Sequence, residues 1–358
     1  MRRAGQVCES RQPLTFEFWW DLQTRPALPC CFRMHIRDGL LSPEVCLATG
    51  VLSAAAVAYS WRRLQRDLAA RTVPLAGMMA AIIFAGQMVN FPLFGLPVSG
   101  HLIGGVLAGV ILGPWAGCVA LTLVLVVQAV LFADGGLLSL GANVLNMAVL
   151  GTWVGSALFE MIRRAAGASY RATVFSAVVA AYFSVLAAAV MFCGEFALSH
   201  GTAPFRLDQL VLWMLGYHAL IGVGEAGITG SVLGFVLARR PELLRPSLTP
   251  QPPSLRGVVT GGVAAACLVA VCVAPWASEW PDGLEAVGDR LAFNELGTDR
   301  VVLLPTYAVP LPGGWEAASV GLAGLLGTVV VFALGWGLGR WFAPARVQNM
   351  NAPTQNNV

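Results

Sequence analysis

The sequence predicts an all-α polytopic membrane protein of roughly nine helices, and three observations carry that prediction. Hydrophobic residues make up 57% of the 358-residue chain and charged residues 11%, with a mean hydropathy of +0.70, far from soluble-domain composition. Apolar stretches close to the length that crosses a hydrocarbon core recur along it. The basic residues, 22 in number and every one an arginine, gather between alternate pairs of those stretches.

The apolar stretches fall at 42–61, 73–91, 99–112, 115–133, 141–162, 173–198, 209–238, 257–276 and 317–339. The third is short and ends at Gly113-Pro114, where glycine suits the end of one helix and proline the first turn of the next. Between 239 and 256 the series breaks at an Arg/Pro-rich stretch that reads as a linker between two domains. Seven segments precede it and two follow, so the architecture expected is a seven-helix bundle and a C-terminal two-helix module.

Loops on the cytoplasmic side of membrane spans carry the excess of positive charge. With residue 42 entering from outside, the inner side receives Arg62, Arg63, Arg66, Arg71, Arg163, Arg164, Arg171, Arg239, Arg240, Arg245, Arg256, Arg340 and Arg346. From residue 34 onward the outer side keeps Arg37, Arg206, Arg290 and Arg300. This orientation puts His35, His101 and the 277–316 segment together outside. Residues 1–33 fit poorly, with five arginines on the outer side and no signal-peptide apolar centre. A misassigned start is one reading of them; a cleaved or disordered tail is the other.

The eight cysteines show no CxxC pair, and most lie in apolar runs where a thiol acts as a small hydrophobe. With no lysine anywhere, the chain has no P-loop and cannot hydrolyse ATP by that route. Enzyme chemistry finds no obvious seat either, since the intramembrane acids Glu160, Glu195 and Glu225 are scattered. Four histidines remain. His200 sits in a polar loop and reads as solvated. His218 and Glu225, seven residues apart, share a helix face; an interhelical hydrogen bond and a functional role are both open. His35 and His101 taken singly read as exposed polar residues near helix starts.

Their surroundings are more specific. Met34-His35-Ile36-Arg37-Asp38-Gly39-Leu40-Leu41-Ser42-Pro43 resembles the start of the metal-capturing membrane subunit of nickel/cobalt energy-coupling-factor transporters, a family in which that methionine is the initiator. The resemblance continues through Gln87–Pro92, Ser99-Gly100-His101-Leu102, Leu112–Gly117, Asp134-Gly135-Gly136, Gly141–Met147 and His218–Glu225. After the linker, Pro281-Asp282-Gly283-Leu284-Glu285 resembles the two-helix accessory subunit of the same transporters, fused here to the first.

The resemblance implies domains at 34–240 for metal capture and 257–343 for the accessory module, joined by a linker at 241–256, with 1–33 as an extension foreign to the family and 344–358 as a polar tail. It implies no permanently bound cofactor, Ni(II) or Co(II) as the transported ion, and ligands from the amine of Met34, the backbone nitrogen and imidazole of His35, and the imidazole of His101. An amine, the next backbone nitrogen and a neighbouring imidazole can chelate one ion in successive rings, and a second imidazole completes a plane that suits Ni(II). Here Arg33 precedes Met34, which would make its nitrogen an amide, so the resemblance favours a functional start at Met34.

Gln87, Asn90, Ser99, Asn143 and Asn146 stand as candidates for supporting that site, as do His218 and Glu225, with ordinary interhelical hydrogen bonding the alternative for each. Gly104, Gly105, Ala108 and Gly109 read as a close-packing run. In the 277–316 loop, Asp282, Glu285 and Asp289 could help load the ion or form a solvated turn. The implied partners are a transmembrane coupling subunit, cytoplasmic ATPase subunits and membrane lipid, with no nucleic acid. The implied function is the substrate-specific component of an ATP-driven nickel or cobalt importer in the cell membrane, feeding cobalamin or nickel-enzyme synthesis. The alternative is an ion-coupled secondary carrier that works without ATPases, although no inverted repeat is evident.

Overall fold

In the computed structural model of the chain, the residues described are 34–67, 72–167, 169–201, 206–240, 255–298, 302–304, 307–309, 311 and 315–341. The expectations for 1–33, for the linker up to 254 and for the 344–358 tail lie outside them.

Most of the described chain is helical, because in lipid every backbone N–H and C=O must be satisfied within the structure. Helix α1 (Pro43–Asp67) starts with proline in its first turn, where a missing N–H costs nothing. Then come α2 (Thr72–Gln87), a minimal antiparallel pair β1 (Phe91–Pro92) and β2 (Ser99–Gly100), and the eight-residue α3 (Gly105–Leu112). Helix α4 (Pro114–Phe132) ends in a π-helical turn from Gln128, and α5 (Leu140–Ala166) is π-helical over Val144–Val154. Helices α6 (Tyr170–His200) and α7 (Leu207–Arg239) pack along their lengths. After the linker come α8 (Leu255–Trp276), the short α9 (Gly283–Arg290) and α10 (Glu316–Trp341).

Seven of these helices have the length and apolarity to cross a membrane, namely α1, α4, α5, α6, α7, α8 and α10. Helix α2, at 16 residues, spans about 24 Å at 1.5 Å per residue. The third apolar segment is corrected: residues 99–104 are not helical, and only 105–112 are. The second also stops at Gln87 instead of 91. Hydropathy alone does not show that Gly100 lies in a strand pair, or that Gly104 turns through φ +76°.

The outward faces are apolar, as lipid requires: Leu47, Val51, Leu212, Val223, Phe235 and Leu322 are all exposed. Helix α10 lies against α2 along small residues. A Cβ on Gly335 would fall 3.0 Å from the Gly77 Cα, and one on Gly324 would fall 2.9 Å from the Met88 Sδ. With no hydrophobic gain between helices in lipid, such close backbone approach supplies the attraction. Gly105 serves α3 in the same way, its Cα side facing Gly151 on α5.

Candidate metal centre

The segment before α1 is pinned to the turn between α4 and α5. Asp38 is buried and accepts the N–H groups of Leu137, Leu138 and Ser139 at 2.8–3.1 Å. Asn143 grips the peptide flanks of Ile36, accepting its N–H and donating to its carbonyl, both at 2.9 Å. The same carbonyl takes the Gly136 N–H and the Ser139 hydroxyl. This explains the paired glycines after Asp134: Gly135 adopts φ +89°, and a Cβ on Gly136 would collide with Asp38.

So held, the backbone nitrogen of Met34 donates to Asp134 Oδ1 at 2.8 Å, and His35 Nδ1 stands 2.9 Å from the same oxygen. That second approach lacks hydrogen-bond direction, and both ring nitrogens of His35 are buried without a hydrogen-bond partner. Asp134 is buried as well. Burial alone would raise its pKa, but His35, the Tyr307 hydroxyl and the Met34 N–H outweigh it and hold the carboxyl below its usual range, so it is a carboxylate.

The second imidazole sits on the non-helical stretch ahead of α3. Glu225, buried in α7, accepts the Ile103 N–H at 2.7 Å and the Gly104 N–H at 2.9 Å, one on each oxygen. Gln87 at the end of α2 donates to the Ile103 carbonyl at 3.1 Å. These bonds fix the backbone two and three residues past His101. Its Nδ1 lies 3.1 Å from the Leu102 carbonyl, an acceptor, so in the neutral ring that makes this contact the proton sits on Nδ1. Nε2 lies 3.6 Å from Asp282 Oδ2. Burial lowers the His101 pKa, but Asp282, the Leu102 carbonyl and Asp134 together outweigh it, and the net shift is upward.

His35 and His101 face each other with ring centroids 5.7 Å apart. Between them lies a cavity of about 70 Å³, lined on its polar side by Met34, Asn143, Asn146, His218 and Asp282. Among the described residues, no three His, Cys, Asp or Glu side chains converge on a common point as a ligand set. The His35 and His101 imidazoles both line this cavity, and imidazole nitrogen is a donor that suits divalent ions of the nickel and cobalt type.

The candidate supporting residues divide by position. Asn143, Asn146 and His218 line the cavity; Gln87, Asn90, Ser99 and Glu225 stand behind it. Asn146 donates to Glu195 at 2.8 Å, and the His218 Nδ1 meets the Met214 carbonyl of its own helix at 2.8 Å. His218 and Glu225 thus serve different partners. Ser99 donates through its hydroxyl to the Trp280 carbonyl and through its N–H to the Pro281 carbonyl, and the Asn90 carbonyl accepts the Ser278 N–H, so both anchor the chain leading to Asp282. Asp282 is no solvated turn residue: it is buried, caps α9 by accepting the Glu285 N–H and faces His101. His200 is likewise not simply solvated, since its Nε2 meets the Leu40 carbonyl at 3.0 Å.

Sequence reasoning gave Asp134 no role and passed over Tyr307, whose hydroxyl donates to Asp134 Oδ2 at 2.7 Å. An acid followed by two glycines directly after an apolar span was the signal for the first. Tyr307, in a loop rich in proline, carries no comparable signal.

Residues 35–243 match the family described as the cobalt uptake substrate-specific transmembrane region, and residues 256–343 match the PDGLE domain. A provisionally named fused nickel transport protein NikMN of Archaeoglobus fulgidus is 34% identical over 310 residues, covering 86% of this chain and 99% of its own. The fused nickel transport protein NikMN of Rhodobacter capsulatus is 35% identical, covering 74% of this chain and 76% of its own. A crystal structure described as a transition metal transporter superposes with a TM-score of 0.53 at 30% identity, over 60% of this chain and 98% of that one. The chain belongs to the cobalt uptake substrate-specific transmembrane family, with a PDGLE domain fused behind it.

Proposed function

We propose that the chain is the substrate-specific membrane component of an importer for Ni(II) or Co(II), and that it takes the ion between Met34, His35 and His101. The observation that carries this reading is the buried pair of imidazoles across one small cavity, with His35 Nε2 buried and without a hydrogen-bond partner. A buried polar nitrogen without a partner costs stability, and a coordinated ion would relieve that cost. The names of the fused nickel transport relatives and of a cobalt transport protein CbiM of Sorangium cellulosum support the same ions. The arginine distribution supports placing the centre at the outer face.

Met34 would serve best as a free amine, which favours a functional chain that begins there; N-terminal sequencing of nickel-loaded protein checks it, and Arg33 still attached in fully loaded protein would sink the amine ligand. We place the energy supply in cytoplasmic ATPases acting through a transmembrane coupling subunit, a reading supported by the chain having no P-loop lysine of its own. Labelled-metal uptake by cells with and without those ATPases tests this: uptake should vanish without them, and undiminished uptake would point to a secondary carrier instead.

The centre itself is tested by titrating nickel and cobalt, singly and in competition, into purified protein. His35→Ala and His101→Ala should each lose most of the affinity while the helical content stays. If both variants bind like the parent, the site is misplaced.

A further inference from the structure

Tyr307 belongs to none of the motifs above, yet it heads the fully buried side chains by size among the described residues. Its ring stacks on Phe132 at 4.5 Å and 15° and abuts Phe84 at 6.1 Å, so a residue of the C-terminal module is seated inside the helices of the first. Its backbone is left-handed, φ 54°, which an aromatic residue adopts only when its surroundings impose it. Ala133, next to Phe132 and Asp134, is also left-handed at φ 54°. Two strained backbone positions from two modules therefore bring a phenol and a carboxylate together. The bond they make spans 173 residues of sequence.

Asp134 divides its oxygens between the modules. Oδ2 accepts the Tyr307 hydroxyl at 2.7 Å, while Oδ1 meets the Met34 nitrogen at 2.8 Å and His35 Nδ1 at 2.9 Å. A carboxylate is rigid and planar, so fixing one oxygen fixes where the other points. We propose that Tyr307 is a positioning residue of the metal centre: its hydroxyl orients Asp134, and through Asp134 the Met34 and His35 nitrogens, so that the fused module sets the ligand geometry from behind. This rests on the reading of Met34, His35 and His101 as the ion's ligands. Groups that orient metal ligands commonly matter by about 10- to 100-fold in affinity.

The test is nickel titration of the detergent-purified full chain, with the ligand-field spectrum recorded at saturation. Tyr307→Phe keeps the ring stack and removes the hydroxyl; it should weaken nickel by about tenfold or more and shift the ligand-field band. Ser319→Ala is the control, because the Ser319 hydroxyl holds the Val309 carbonyl at 2.6 Å and so steadies the same segment without touching Asp134. It should leave affinity and band near those of the parent. Parental affinity and band in Tyr307→Phe would overturn the proposal, as would Ser319→Ala reproducing the change. Should Tyr307→Phe not fold, Asp134→Asn and Asp134→Asn/Tyr307→Phe replace it: equal affinities support the proposal, and a further tenfold loss in the double variant overturns it. His101→Ala separates the two levels, since parental binding there refutes the metal centre itself whatever Tyr307→Phe does.

Discussion

At the scale of single residues, the proposed centre rests on side chains that bond the backbone beside His35 and His101. Asn143 satisfies both polar groups of Ile36, next to His35. Asn143→Ala leaves the Ile36 N–H buried without that acceptor, at a cost of about 1–3 kcal/mol, while the Ile36 carbonyl keeps Gly136 and Ser139. The expected outcome is a lower unfolding midpoint together with weaker nickel binding, read by calorimetry on one preparation. Asn90→Ala should leave nickel affinity close to the parent, because Asn90 anchors Ser278 through its backbone carbonyl and lies off the cavity. Acid should weaken binding, since the ion needs unprotonated nitrogen. Asp282 raises the His101 pKa, so the proton competes from a higher pH than at an ordinary imidazole, and nickel affinity should fall as the pH drops through that raised value. From sequence alone, Gln87, Asn90, Ser99, Asn143 and Asn146 look alike, as polar residues near helix ends. What separates them is the group each one meets, and that is set by chain segments far off in sequence, 181 residues away for Ser99 and Trp280.

At the scale of elements, hydropathy found the seven described helices that are long and apolar enough to cross a membrane, because lipid requires apolar side chains wherever a helix crosses. It overran at residues 99–104, since an apolar, glycine-bearing stretch has the same hydropathy whether helical or not. The structure ends that ambiguity with Glu225, whose carboxylate takes the two N–H groups just ahead of α3. The like spacing of His218 and Glu225 on one helix face suggested partnership, but their side chains meet different groups. Glu225→Gln keeps the shape and offers one acceptor oxygen in place of two, so one of those N–H groups is stranded. Nickel affinity should fall with little change in helical content, and a parental titration curve would show that the α3 entry does not position His101. The seam of α2 with α10 makes a separate claim. Gly335→Val places its Cβ 3.0 Å from the Gly77 backbone, an overpacking that costs about 1–3 kcal/mol and should lower the unfolding midpoint in detergent.

At the scale of the whole molecule, the division into seven helices and two was legible because the linker interrupts the hydropathy and concentrates arginine and proline. That residues of the second part meet residues of the first beside His35 and His101 was not legible. Asp282 reaches His101, and Tyr307 reaches Asp134, through contacts that no local pattern encodes. Asp282 could be suspected from its Pro-Asp-Gly turn, but Tyr307 could not, since a buried phenol needs a specific acceptor and the sequence does not say where that acceptor lies. The fused arrangement therefore has a thermodynamic consequence. If the C-terminal module only escorted the first, removing it would leave nickel affinity unchanged. If it completes the centre, a chain ending at 240 must lose the Asp282 and Tyr307 contacts, and it also exposes the glycine face of α2. Expressed alone, residues 34–240 should bind nickel more weakly than the intact protein and unfold at lower temperature, and co-expression of 255–343 as a second chain should restore both. Parental affinity in the shortened chain, measured in the same detergent, would show that the two modules share a membrane without sharing a site.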